Sequence, residues 1–148
     1  MLEDSLGFLI NHAGRKARAL LGMRFQPYEI TTEQWTVLNR LAEQDGLSQK
    51  ELARRAEKDQ TNLTRILGQL ERKGLVVRKT NESDRRSELP YITEKGRALN
   101  DVLVPIERDV VLSIVRGLTE EQTAALRSML LHIAEEAGRL IRESEVTP

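Results

Sequence analysis

Gln60, Thr61, Asn62, Thr64 and Arg65 share a short stretch with Leu63, Ile66, Leu67 and Leu70. The four apolar residues recur at i, i+3, i+4 and i+7, which predicts a helix with one buried and one polar face. The polar face holds side chains able to bond nucleotides. Asn and Gln amides match adenine bidentately, an Arg guanidinium matches guanine, and Thr reaches phosphate or the thymine methyl. Arg65 is expected to discriminate most, since a good bidentate contact is worth about 1–3 kcal/mol against the wrong base. An ordinary solvated helix face is the plainer reading. Position weighs against it, because this helix is the second of a pair and precedes a basic hairpin.

The hairpin supplies the second cluster. Residues 75–79 and 88–92 are strand-like runs, and the polar tip between them, residues 81–87, contains Asp84, Arg85 and Arg86. A guanidinium at a loop tip suits the narrow minor groove, where the negative potential is enhanced. Asp84 is suited instead to a charge-assisted bond that orients Arg86. Lys50, Lys58, Lys73, Arg78 and Lys79 are less specific, as phosphate neighbours or plain surface.

Other chemistries find little support. The only histidines, His12 and His132, stand on separate terminal segments, and there is no cysteine. A zinc site within one chain, which takes about four N or S ligands, is not expected, and neither is thiol chemistry. Gly7, Gly14 and Gly22 do not match a dinucleotide fingerprint, and no nucleophile–base arrangement appears. The chain is not expected to be an enzyme or to hold a metal or cofactor.

The elements that must position these residues are mostly helical. Leu6, Leu9, Ile10, Ala13, Ala17, Leu20 and Leu21 form one stripe of a first helix, stopped by Pro27. Thr31 and Gln34 stand at capping-box spacing before a second helix, whose stripe is Trp35, Leu38, Leu41 and Ala42 and which Gly46 ends. Ser48 and Glu51 repeat that spacing before a third helix, residues 48–56, and the fourth, residues 60–73, closes at Gly74. Thr93 caps a long fifth helix containing Leu99, Val102, Leu103, Ile106, Val110, Ile114 and Val115. Pro105 should bend it, and Gly117 ends it. Thr119 and Gln122 cap a sixth, with a stripe of Leu126, Leu130, Ile133, Ala137, Leu140 and Ile141. Helix, turn, helix, hairpin is the order of a winged helix-turn-helix, here a mostly α fold with a small β-hairpin and flanking helices.

Net charge is zero, but its distribution is uneven. Residues 48–86 carry 11 Lys and Arg against 6 Asp and Glu, an excess of five where phosphate would lie. Only 39% of the residues are hydrophobic and 3% aromatic. One small winged unit has too little surface to cover three apolar helices, so a second copy is expected to do so. Symmetry would then set two recognition helices about 34 Å apart, one turn of DNA. Two domains follow: residues 31–96 for DNA, and residues 1–30 with 97–148 for dimerisation. No apolar run approaches the ~20 residues needed to span a bilayer. Glu3, Asp4 and Asn11 interrupt the N-terminal apolar residues, so no signal peptide is expected and the location is read as cytoplasmic.

Two stretches carry a family resemblance. One is Leu70-Glu71-Arg72-Lys73-Gly74-Leu75-Val76; the other is Asp84-Arg85-Arg86 followed by Ile92-Thr93-Glu94-Lys95-Gly96. In that order the chain resembles a MarR-type transcriptional regulator over roughly residues 5 to 143. The resemblance implies a homodimer paired through its first, fifth and sixth helices. It also implies a pseudo-palindromic operator, usually repressed, and release by a small aromatic or anionic ligand lodged between the dimerisation and DNA-binding regions. The matching junction of the first, second and fifth helices offers His12, Lys16, Tyr28 and Trp35 as a candidate ligand pocket. His12 and Lys16 share one helix face, and Trp35 can stack on a ring. Core packing of Trp35 and a solvated Lys16 are the plainer alternative. Glu82 departs from the family's wing pattern by placing an acid near the tip, and Pro90 marks its strand as an edge. The rival to a DNA reader is a winged module that binds protein instead.

Overall fold

A computed structural model describes residue 1 and residues 4–146; Glu3 lies outside them. The elements follow in order: α1 Leu6–Phe25, a 3-10 turn Gln26–Tyr28, α2 Thr32–Glu43, α3 Gln49–Ala56 and α4 Gln60–Arg72, then β1 Val76–Asn81, β2 Asp84–Ile92, α5 Glu94–Ile114 and α6 Glu120–Val146. This is the expected winged helix-turn-helix with flanking helices. The chain divides into two compact units, Met1–Val111 and Leu112–Pro148.

In the first unit the core is built by α2, α3, α4 and the base of the hairpin. Leu38, Leu41, Leu52, Leu63, Ile66, Leu67 and Leu70 are fully buried, joined by Leu75, Val76 and Ile92. The stripe expected on α4 is thus the face that packs. Phe25 and Leu103 bring α1 and α5 into the same cluster, and Trp35 and Ala42 stand at its margin, partly buried. The capping box at Thr31 and Gln34 is complete in both directions. At α3 only half of it forms. Ser48 Oγ accepts from Glu51 N–H, but the Glu51 carboxylate turns to Arg54 and Arg55 instead of the Ser48 amide, because two cations within one turn attract it more strongly than a neutral N–H. α5 continues through Pro105 as one helix.

The hairpin is a two-stranded antiparallel sheet, so both strands are edges, which suits Pro90 opposite Arg78. Its tip is tighter than the expected seven residues. Asn81 faces Asp84 across Glu82 and Ser83, while Thr80 faces Glu88. Arg85, Arg86 and Ser87 are therefore surplus on β2, an irregularity of the kind that re-aims side chains. At its base, Gly46 N–H donates to Pro90 O, and the Tyr91 ring lies so close to Gly46 that a Cβ there would meet Tyr91 Oη at 2.9 Å. Asp45 accepts from Ile92 N–H at 2.7 Å and from Arg97 Nη2 at 2.7 Å, tying the turn after α2 to both β2 and α5.

In the second unit, Thr119 and Gln122 form the expected reciprocal cap of α6. No residue of α6 is buried. Leu130, Leu140 and Ile141, from the stripe read in the sequence, are about half exposed.

Candidate nucleic-acid interface

The polar face of α4 begins at a cap. Asp59 Oδ1 accepts from Asn62 N–H at 2.8 Å, satisfying an otherwise unpaired amide of the first turn. At the far end, Leu75 N–H bonds Leu70 O and Gly74 N–H bonds Glu71 O, with Gly74 at φ +73. That pair of bonds is a Schellman closure, which needs a left-handed residue and so favours glycine. The helix is thereby fixed at both ends while its inner face is locked into the core. Gln60, Thr61, Thr64 and Arg65 are exposed and Asn62 is half-buried.

These five side chains are not all idle. Arg65 Nη2 donates to Asn62 Oδ1, one turn back, and lies 3.4 Å from Glu33 Oε2 on α2. Thr64 Oγ1 donates back to Gln60 O. Gln60 and Thr61 have no side-chain partner among the described residues. The face is therefore partly pre-arranged: its strongest donor is held by an amide oxygen and a carboxylate, leaving its remaining N–H groups directed elsewhere.

At the wing, Asp84 Oδ1 accepts from both the backbone N–H and Nε of Arg86, at 3.2 and 3.1 Å. The Asp84–Arg86 pairing expected from the sequence is present, and Arg86 keeps 92% side-chain exposure. Arg85 is exposed with no partner among the described residues.

Most of the less specific cations serve the fold. Lys73 Nζ donates to Glu29 O and, at 2.9 Å, to Gln34 Oε1. Arg78 Nε lies 2.9 Å from Glu71, Lys58 lies 3.8 Å from Glu33, and Lys79 Nζ sits 4.8 Å from the centre of the Tyr91 ring. Of the five, only Lys50 makes no such contact among the described residues. Glu51, beside it on α3, has its carboxyl drawn down from 4.5 to about 2 by hydrogen bonds from Arg54 and then Arg55.

His12, Lys16, Tyr28 and Trp35 are not brought together in any of three clefts of the first unit. His12 stacks on Phe8 at 5.4 Å along the exposed side of α1, and Lys16 is exposed. Trp35 packs edge-on to Phe25 and donates through Nε1 to the buried Asn100 at 3.1 Å. Its ring is committed to the core margin because its N–H finds a buried acceptor there. Three surface clefts of about 320, 540 and 510 Å³ occur in the first unit, and only Tyr28 of the four residues lines any of them. Tyr28 shares the third with Arg72, Lys73, Leu75, Lys95 and Leu99. No group of three or more His, Cys, Asp or Glu among the described residues is placed to hold a metal ion, and no helix there is long and apolar enough to cross a membrane.

Two residues escaped the sequence reading. Asp59 could have been found from its place directly before the apolar stripe. Glu33 had no local signal, because its partners Arg65 and Lys58 lie on other elements.

Residues 30–87 match the model of the MarR family. Among solved structures, the chain is 29% identical to a mutant MarR from E. coli complexed with operator DNA, over 86% of this chain and 92% of that one, with a TM-score of 0.82. It is 28% identical to CouR from Rhodococcus jostii RHA1 bound to p-coumaroyl-CoA, over 90% and 94%, with a TM-score of 0.80. A probable transcriptional regulator from Pseudomonas aeruginosa is 25% identical over 90% and 99%, with a TM-score of 0.83.

Proposed function

We propose that this chain is a repressor that binds a pseudo-palindromic operator as a homodimer, a reading supported by the match of residues 30–87 to the MarR family of transcriptional regulators. In this reading α4 enters the major groove, and Arg85 and Arg86 reach the adjacent minor groove. One observation carries it: α4 is capped at both ends and buried on its apolar face, so its exposed face presents Gln60, Thr61, Thr64 and Arg65 on a rigid support. The excess of five positive charges over residues 48–86 favours a polyanion. The E. coli relative complexed with operator DNA supports the same partner.

Burial supports a second copy. The first unit leaves Leu6, Leu9 and Ile10 exposed at 67%, 47% and 36%, and the second leaves Leu112, Leu130 and Ile141 exposed at 61%, 48% and 59%. Apolar stripes at helical spacing on both units are surface that a symmetric partner removes from water. The dimerisation region is assigned to residues 1–30 and 97–148, and the DNA-binding domain to residues 31–96.

A small anionic aromatic ligand releases the operator. The relative bound to p-coumaroyl-CoA supports ligand control. The cleft of about 510 Å³ beside Tyr28, with Arg72, Lys73 and Lys95 on its walls, offers an aromatic face and cations to such a molecule. Release requires that the ligand bind better to an arrangement that does not fit the operator.

Selection of bound duplexes from a random pool tests the function. A two-fold symmetric consensus with half-sites about one turn apart supports it. No enrichment, or binding that stays flat between roughly 50 and 200 mM salt, would favour a protein-binding module.

A further inference from the structure

Glu33 stands in the first turn of α2, outside both clusters that contact DNA in the proposed complex. Its carboxylate nevertheless faces two cations from other elements: Arg65 Nη2 of α4 at 3.4 Å and Lys58 Nζ, in the turn between α3 and α4, at 3.8 Å. Arg65 is held from the other side by Asn62 Oδ1. Two elements of the helix-turn-helix thus converge on an acid carried by a third, at the edge of the proposed DNA face. The plain alternative is a helix-dipole acid, since Glu33 also favours the α2 N-terminus. That role alone leaves the contact with Arg65 and Lys58 without consequence.

We propose that Glu33 is a specificity-determining residue, which holds Arg65 and Lys58 away from phosphate so that Arg65 is spent on a base edge. The inference rests on the DNA reading of α4. A phosphate and Glu33 compete for the same two cations, and the carboxylate repels any phosphate that approaches them. Sequence-independent binding, which is almost wholly phosphate contact, is penalised most. Arg65 keeps its Nε and Nη1 hydrogens for single contacts with guanine N7 or O6, so base contact is penalised less than phosphate contact. Because the group is about half exposed, the effect is that of one charge pair at about 4 Å in a water-like dielectric, roughly fivefold in affinity.

The test is Glu33→Gln, measured by fluorescence anisotropy on a duplex selected by the parent and on a scrambled duplex of equal composition. Affinity for the scrambled duplex should rise about fivefold and that for the selected duplex less than twofold. The preference ratio should therefore fall severalfold. The salt slope on the scrambled duplex should steepen by about one as Lys58 becomes free for a phosphate. In an Arg65→Ala, Lys58→Ala background the same change should have little effect, the signature of direct coupling. A dipole role alone would lower the melting temperature and leave the ratio untouched, which overturns the proposal. Equal gains on both duplexes, or an undiminished effect in the double background, overturn it as well. A parent that prefers no duplex at all sinks the DNA reading itself, a result distinct from these.

Discussion

Gly96→Ala isolates the junction on which the placement of the wing and α5 depends. Gly96 is buried in the first turn of α5 and donates to Thr93 Oγ1 at 3.0 Å. A Cβ there would collide with the Leu75 carbonyl oxygen and would meet Ile92 Cγ1 at 2.7 Å. The carbonyl cannot swing aside freely, because it accepts from Thr93 N–H at 3.0 Å. Two effects oppose each other. Alanine gains about 1 kcal/mol over glycine in a helix. Overpacking costs about 1–3 kcal/mol, and a collision with fixed backbone belongs at the upper end. The net expectation is a loss of about 1–2 kcal/mol, or roughly 3–8 °C in Tm for a chain of this size. Gly68→Ala is the control, since its Cβ would find only Arg72 Nη1, at an ordinary 3.5 Å. It should stabilise by about 0.5–1 kcal/mol. Denaturant and thermal unfolding at one fixed protein concentration measure both, because the proposed dimer would make Tm concentration-dependent. If Gly96→Ala matched or exceeded the parent while Gly68→Ala behaved as stated, the close approach of α5 to the wing base would be refuted.

Arg65→Ala should cost about 1–3 kcal/mol on the selected duplex and flatten base preference at one position per half-site, read by competition gel shift. Arg86→Ala should weaken all duplexes similarly and lower the salt slope by about one. Asp59→Ala removes the α4 N-cap and should cost about 1 kcal/mol of unfolding free energy, measured by denaturant titration. Glu51 titrates lower when folded than when unfolded, so its contribution is complete above about 4.5 and fades as pH falls toward about 2. The stability advantage of the parent over Glu51→Gln should therefore shrink across that window, and an advantage constant from pH 7 to pH 2 would contradict the Arg54 and Arg55 bonds.

What was legible in the chain was mostly local. Thr31 with Gln34, and Thr119 with Gln122, are read from three-residue spacing, and their reciprocal bonds form within one turn of helix. The α4 stripe was equally plain, because its buried face repeats with the helix. The half-formed box at Ser48 was less so: spacing cannot show that Glu51 has two better partners in Arg54 and Arg55. The surplus residues of the wing depend on strand register, which turn chemistry alone leaves open. Long-range packing decided the rest. Trp35 reads from the sequence either as buried stripe or as pocket wall, and its bond to the buried Asn100, 65 positions on, favours the first; Glu33 meets Arg65 only because packing sets α2 beside α4.

The most direct measurement is photo-cross-linking from α4 itself. A benzophenone side chain at Gln60 and, separately, at Glu135 of α6 would be irradiated with the selected duplex. The Gln60 probe should form adducts with bases inside both half-sites, and the Glu135 probe should form none. Equal yields from the two positions, or no adduct at Gln60 while the duplex is demonstrably bound, would show that the exposed face of α4 does not lie on DNA.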